Sequence, residues 1–544
     1  MDVGGAEFRS SLLRILRDIS EATIVTFDLE MSGITTKPKC SAGDQSLNVG
    51  KPTLQNQYEE MKSAAETYQV LQLGITCVSE DVDKEYYLAK PYNFTISPLQ
   101  ADGTGMGHSA LRLNRNFTFS SSASEFLAKN GFDFGKVFTA GVPYLSRDEE
   151  IELLEEYKQR EGRKANIPDL VIGASDYMNL EFVRSARKTV TVWFENPEHK
   201  DDFVNVSHPA GPLTGLQRRL VHQFIRSEFP TLRAFGLMDG SFMQVRRIDL
   251  IQEQAYQARQ AVTYKGNIAK QTGLRWIFEA LCGGNLSGVD VKWFINELEV
   301  KEAKTVKEEL EMIIKDLKSK KRMIVGHNLF FDLGFLYKTF IGILPNNVKD
   351  FQEDINDLFP FIIDTKYLAT QSPGTQNPRS GLKELLAPFR KIHVPLIVLH
   401  EDHVQYGAEY GRDHEAGYDS WMTAELFVKL AGQLSSESKD ILDDESGSSG
   451  SDEFFSAPEE YLKEHRDSEG GAGLKSGPDL IDFGEDVDAE EVKTEQWLPR
   501  MSSKFWKKYV NKLRVNSSEG GVCDLAERGE DRGVGGVRRK LAQL

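Results

Sequence analysis

Cysteine is scarce in this chain of 544 residues. Cys40, Cys77, Cys282 and Cys523 are its four cysteines, and they stand too far apart for a metal-binding spacing or a disulfide framework, so they read as reduced thiols. Long apolar runs are lacking as well. No stretch approaches the roughly 18 to 20 apolar residues that span a bilayer, which excludes a membrane-crossing helix. The first residues open directly into an amphipathic pattern, Phe8, Leu12, Ile15, Leu16 and Ile19, without an apolar block of the signal-peptide type, so the expected compartment is inside the cell. Positive charge is also in deficit, with a formal net of -17. That balance argues against a polyanion ligand only if it is spread evenly, and it is not. Ser435 to Gln496 holds 20 acids against 5 bases, a net of -15, and Trp497 to Leu544 holds 11 bases against 5 acids, a net of +6. Residues 1–434 are left with a net of -8, so a basic groove there is not excluded.

What is present describes a soluble globular chain, 40% hydrophobic and 27% charged, long enough for two or three folded units. The pattern predicts an α/β layer of helices on a mixed sheet. Its expected parts are a helix over Gln57–Gln69, paired strands over Leu71–Val78 and Tyr86–Asn93, and a third strand over Asn114–Ser120. A charged helix, Asp148–Arg163, leads out of this first half. A small α+β insert follows, with a β-branched strand over Lys188–Phe194, a helix over Leu216–Phe229 and short strands near Arg233 and Gln244. The α/β pattern resumes after Ile251. The domain boundaries are then 1–175 and 251–434 for the two halves of the main domain and 176–250 for the insert. Residues 435–496, rich in Ser, Gly and acids, are expected to be disordered, and 497–544 to be a short basic and aromatic tail.

Candidate chemistry starts in the strand Thr23–Ile34, where Asp28 and Glu30 lie one residue apart and therefore project from the same face. Two acids held together repel one another unless a cation neutralises them. A third acid, Asp332, sits near the start of the apolar helix after G-H-N-L-F-F-D, where an ionised carboxylate without a partner would cost several kcal/mol. A fourth, Asp419, follows His414 by five residues in H-E-A-G-Y-D. At about 100° per residue this spacing puts the two roughly 140° apart on a helix. They can meet only if His414 precedes the helix that carries Asp419. In the insert, Arg218 and His222 are spaced i, i+4 and share one helix face.

The order D-x-E, D, H-x-x-x-x-D resembles the DEDD exonuclease superfamily, histidine subtype. The segments F-D-L-E-M-S-G-I, N-G-F-D-F-G-K-V-F, G-V-P-Y-L, G-H-N-L-F-F-D, I-D-T-K and H-E-A-G-Y-D resemble the poly(A)-specific ribonuclease family over roughly residues 1–434. The insert is similar to that family's small R-x-x-x-H nucleic-acid-binding domain. The resemblance implies a ribonuclease H-like exonuclease fold and a magnesium-dependent 3′-to-5′ exoribonuclease that degrades poly(A), releasing 5′-AMP. It implies two Mg2+ ions, with Mn2+ able to substitute, held by Asp28, Glu30, Asp332 and Asp419, and His414 as general base. Hard oxygen ligands suit these ions rather than zinc, and imidazole exchanges a proton near neutral pH. It places Ile34, Asn328 and Lys366 near the RNA end, with Arg218 and His222 on RNA in the insert. Met31 stands where some members have an aromatic residue. The implied partner is an RNA with a 3′ poly(A) or oligo(A) end. No membrane partner is expected, a homodimer is among the expected states, and the implied location is the nucleus or the cytoplasm. Trimming of small non-coding RNAs, a non-catalytic RNA-binding role and DNA proofreading are the competing readings.

Overall fold

A computed structural model describes residues 1–36, 52–101, 113–165, 168–196, 201–295, 300–371, 380–407, 414–442, 497–515 and 521–527. Cys40, most of the acidic segment and the Gly-rich end lie outside the described residues. These form two compact units, one made by Ile151–Lys270 and the other by the described residues on either side of it.

In chain order the strands are β1 (Asp2–Val3), β2 (Ile24–Met31), β3 (Val70–Asp81), β4 (Tyr86–Ser97), β5 (Val142–Pro143), β6 (Phe203–Val206), β7 (Leu232–Leu237), β8 (Phe242–Arg247), β9 (Met323–Gly326), β10 (Ile362–Asp364), β11 (Ile397–Leu399), β12 (Lys512–Arg514) and β13 (Val522–Asp524). In the larger unit the sheet runs β1-β4-β3-β2-β9-β10, with β11 and β5 also on β4. The strand β3 is antiparallel to both neighbours, whereas β2, β9 and β10 are parallel. A mixed sheet in the order β4-β3-β2-β9-β10, flanked by helices, is the ribonuclease H-like arrangement anticipated from the motifs.

The central strand β2 is buried from Ile24 to Phe27 and then alternates, so Asp28 and Glu30 reach a partly open surface while Leu29 stays inside. Continuous burial is what a strand with parallel and antiparallel neighbours and helices on its faces requires. The Gly5–Glu21 helix buries Phe8, Leu12, Ile15, Leu16 and Ile19, the stripe visible in the sequence. The Ala416–Leu442 helix buries Leu426, Phe427, Leu430, Ala431 and Leu434 in the core. Its helical span passes the expected boundary at residue 434, so the acidic segment starts later than expected. Cys77, Cys282 and Cys523 are free thiols. Among the described residues no helix is long and apolar enough to cross a membrane.

The smaller unit pairs a β6-β8-β7 antiparallel sheet with the Tyr177–Glu195 and Gly215–Glu228 helices. Here one expectation is corrected. Lys188–Phe194 is helical, because Phe182, Ala186, Val190 and Trp193 recur at helical spacing and enter the core together, which outweighs the β-branched content of the stretch. The unit is also wider than 176–250. The helices Arg147–Ala165 and Leu250–Thr272 extend into it and join through Tyr157 stacked on Tyr264 and the Tyr264 hydroxyl donating to the Leu153 carbonyl at 3.2 Å. A second correction concerns Asn114–Ser120, which joins no ladder. It is held by Ser120 N–H on the Ser32 carbonyl and by the Ser32 hydroxyl on the Thr118 carbonyl.

The described residues after 496, 497–515 and 521–527, are no loose tail. Trp506, 1% exposed, lies between Phe427 and Phe361, and Leu513, Cys523 and Leu525 are buried.

Candidate active site

Three parallel strands, β2, β9 and β10, end on the same side of the sheet. The crevice outside the carboxyl ends of parallel strands is where open α/β sheets hold ligands. Beyond β9 the chain turns through Asn328, whose φ of 63° is left-handed, and enters the Phe330–Leu336 helix with Asp332 in its first turn. Lys366 is the second residue of the Thr365–Ala369 helix, which starts directly after β10. Ile34 is exposed just past the end of β2.

Asp419 arrives from the opposite direction, in the first turn of the Ala416–Leu442 helix. That turn is fastened to the sheet by polar contacts. The Thr26 hydroxyl donates to the Ser420 carbonyl at 2.6 Å, the Thr76 and Ser420 hydroxyls are 2.9 Å apart, and Gly417 N–H donates to Asn93 Oδ1 at 3.2 Å. His414 precedes the helix in a left-handed conformation, φ 65°, with its ring edge-on to Phe126 at 4.5 Å. This is the arrangement the five-residue spacing demands.

Glu30, His414 and Asp419 each offer a ligand atom within 4.8 Å of the others. Asp28 and Asp332 belong to the same electrostatic group. Burial first, then the charges of Asp419, Asp332 and Glu30, push the Asp28 carboxyl well above its ordinary range. Glu30 is raised by burial and by Asp419 and Asp332. Asp332 is pushed up to about 7, chiefly by burial and further by Asp364. Acids that raise one another in this way form a site that a divalent cation stabilises by replacing the missing solvent. Four carboxylates and one imidazole are a donor set for a hard ion of the magnesium or manganese type. The residues present fit such a metal.

His327 is a different case. Burial first, then Lys366, lowers it to about 3, and its Nδ1 lies 2.9 Å from the Thr365 hydroxyl. It is therefore a neutral structural histidine that ties the turn after β9 to the turn after β10.

The roles of two residues at this site escape a reading of motifs. One is Gly74, paired with Asp28 across the β2–β3 ladder. A Cβ there would stand 1.9 Å from the Ala416 carbonyl oxygen and 2.4 Å from Gly417 N. Only glycine lets the Asp419 helix settle on the sheet. The other is Asp364, fully buried at the end of β10, whose Oδ1 accepts from Asn328 N–H at 2.8 Å and Lys366 N–H at 2.9 Å.

Arg218 and His222 are described within their own unit. They face a cleft of about 1160 Å³ that Arg160, Arg219, Arg226 and Arg233 also line. Arg218 Nη1 donates to the Asp239 carbonyl at 3.0 Å in the β7–β8 turn, while burial and then Arg226 lower the His222 pKa.

A mixed sheet whose parallel strand ends gather four carboxylates and a histidine offers the donor set that metal-assisted phosphodiester hydrolysis uses. The chain belongs to the CAF1 family of ribonucleases, whose model matches residues 3–427. Poly(A)-specific ribonuclease PARN of Danio rerio is 25% identical over 80% of this chain and 60% of its own length. An uncharacterised protein of Schizosaccharomyces pombe is 28% identical over 79% and 92%, and the pre-piRNA 3′-exonuclease trimmer of Bombyx mori 26% identical over 81% and 72%. Matched regions cover only 60% and 63% of the Danio rerio and Xenopus laevis ribonucleases. Among solved structures, S. pombe Pop2p in its Mg2+ and Mn2+ bound form aligns over 79% of this chain and 91% of its own, at 12% identity and a TM-score of 0.35.

Proposed function

We propose that this chain is a divalent-metal-dependent 3′-to-5′ exoribonuclease that shortens poly(A) and releases 5′-AMP. The observation that carries the reading is the meeting of Glu30, His414 and Asp419 within 4.8 Å, beside Asp28 and Asp332. Asp28, Glu30, Asp332 and Asp419 would hold two Mg2+ ions, or Mn2+ in their place. Ions bound there supply Lewis-acid stabilisation of the leaving 3′ oxygen and lower the pKa of the attacking water. His414 takes the proton of that water at an imidazole nitrogen. Ile34, Asn328 and Lys366 line the approach to the strand ends and orient the terminal nucleotides, Lys366 as a cation for phosphate. In the smaller unit the arginine-lined cleft with Arg218 and His222 binds the RNA backbone, where phosphate neutralisation supplies sequence-independent affinity.

Trimming of small non-coding RNA 3′ ends is the second reading, supported by the Bombyx mori relative. The deciding assay uses the purified chain with Mg2+ and matched 5′-labelled RNAs ending in oligo(A), oligo(U) or a mixed sequence, plus a DNA control. A ladder of products from the 3′ end, restricted to the A-tailed RNA and abolished by EDTA, is the expected result. Equal shortening of all three RNAs favours the trimming role. No shortening of any substrate sinks the enzymatic reading.

A further inference from the structure

Residues 497–515 and 521–527 lie beyond the family match of residues 3–427, yet they form a segment built into the larger unit. Leu498 N–H donates to the Tyr87 hydroxyl at 2.9 Å, and Trp506 is sealed against Phe427 of the long C-terminal helix. Gln352 Nε2 donates to the Asp524 carbonyl at 2.6 Å. At Asn511 the segment reaches β10, the last strand in the sheet order. Asn511 N–H donates to the Ile362 carbonyl at 2.8 Å, and Ile362 N–H donates back to Asn511 Oδ1 at 3.1 Å. Asn511 does this from a left-handed backbone, φ 62°. An exposed strand edge invites foreign pairing, so closing it is a sufficient reason for one contact. It does not explain the next one. Three residues on, Arg514 N–H donates to Asp364 Oδ2 at 2.9 Å.

We propose that this strap is a working part of the catalytic end of the sheet, and that Asp364 is the positioning residue through which it fixes Asp332 and Asn328. The inference rests on the metal reading above. Asp364 has no exposure to solvent, so its carboxylate depends on donors inside the protein. Those donors come from three separate stretches of chain. Oδ1 takes Asn328 N–H, in the turn that launches the Asp332 helix, and Lys366 N–H, in the turn after β10; Oδ2 takes Arg514 N–H, from the strap. With both oxygens bonded, the carboxylate plane is fixed, and so is the direction in which the Asn328 turn leaves β9. Asp332 follows Asn328 by a single helical turn and inherits that direction. Loss of the strap's N–H frees the carboxylate to rotate, and the Asn328 turn moves with it. Supporting hydrogen bonds of this kind set the geometry of metal ligands, and removing one typically weakens metal affinity roughly 10- to 100-fold.

Titration calorimetry of Mn2+ into the full chain tests this, comparing the wild type with Asp364→Asn and Arg514→Pro, with thermal melting of each. Asp364→Asn keeps the size of the side chain but points an amide N–H at backbone donors. Arg514→Pro keeps Asp364 and deletes the strap's N–H. The expected result is a Kd for Mn2+ roughly 10- to 100-fold weaker in both variants. A merely structural role would reduce the number of binding-competent molecules and leave the Kd of the remainder unchanged, and that outcome overturns the inference. If Asp364→Asn fails to fold, Arg514→Pro decides alone. A wild-type chain that binds no Mn2+ removes the metal reading and this inference together, whereas normal wild-type binding with unaltered variants removes only the strap.

Discussion

Gly74 faces Asp28 across the β2–β3 ladder, and the Ala416 carbonyl oxygen occupies the place where a side chain at Gly74 would begin, 1.9 Å from an ideal Cβ. The obstacle is backbone on both sides and cannot rotate away. Gly74→Ala must therefore push the Asp419 helix off the sheet or distort β3, and overpacking of this kind costs about 1–3 kcal/mol or more. The expected variant melts several degrees lower and has lost turnover, because Asp419 no longer reaches Glu30. Melting and activity measured together check it, and a variant with wild-type turnover shows that the helix can shift without loss of the site.

Protons and metal compete for the same acids, and the sign of the effect is fixed by the raised pKa values. Asp332 stands at about 7 in the folded chain, against about 3.9 for an unperturbed aspartate. The folded state then binds protons that the unfolded state has released, so the stability from this group is complete below about pH 4 and is lost as pH rises through 7. Asp28 and Glu30 are raised in the same direction. Metal-free protein in EDTA is expected to melt at progressively lower temperature between pH 5 and pH 8. Saturating Mg2+ should raise the melting temperature most at the alkaline end, since binding displaces protons. Asp332→Asn should flatten the metal-free profile and shrink the Mg2+ effect. A metal-free melting temperature that climbs over this range would contradict the electrostatic account.

For His414 the expected signature is kinetic. It sits within ligand distance of Glu30 and Asp419, yet the proposed role is to take a proton. His414→Ala should bind Mn2+ in calorimetry with little change and lose roughly 10²- to 10⁴-fold in kcat. Asp28→Ala, by contrast, should lose Mn2+ binding as well as turnover. A His414→Ala enzyme with a higher Mg2+ requirement and an unchanged maximal rate would mean that the imidazole is a ligand and not the base.

Much of this site is legible in the sequence because its parts are local. Asp28 and Glu30 share a face through strand alternation alone, and the five-residue step from His414 to Asp419 already requires a helix that begins between them. What is not legible depends on contacts between distant parts of the chain. Nothing around Gly74 in L-G-I-T-C announces that the first turn of a helix will rest on it. Asp364 is visible in I-D-T-K, but its bond to Arg514 exists only once the strap is folded against β10. The Lys188–Phe194 helix shows the opposite failure, in which the β-branched residues Thr189, Val190, Thr191 and Val192 dominate a short window. The helical spacing of Phe182, Ala186, Val190 and Trp193 emerges only over a longer one. For the residues after 496, brevity and basic composition suggest a tail, whereas Trp506 and Leu513 complete the core of the larger unit.

The acidic stretch between Leu442 and Trp497 lies outside the described residues, and its charge alone supports a last expectation. Residues 443–496 hold 18 acids against 4 bases, a net of -14, and both ends are tethered to a unit that must attract a polyanion. A tethered chain competes at high effective concentration for any basic surface it can reach. The segment should therefore weaken RNA binding at low salt, less so as screening increases. Ending the chain at Leu442 would confound the test, because it also deletes the strap that carries Trp506 and Arg514. The clean comparison replaces 443–496 with an uncharged Gly/Ser linker of equal length, and follows RNA affinity from low to high ionic strength. The replaced chain should bind more tightly at low salt, and the two affinity curves should converge as salt rises. Coincident curves throughout would show that the acids do not compete for the RNA site.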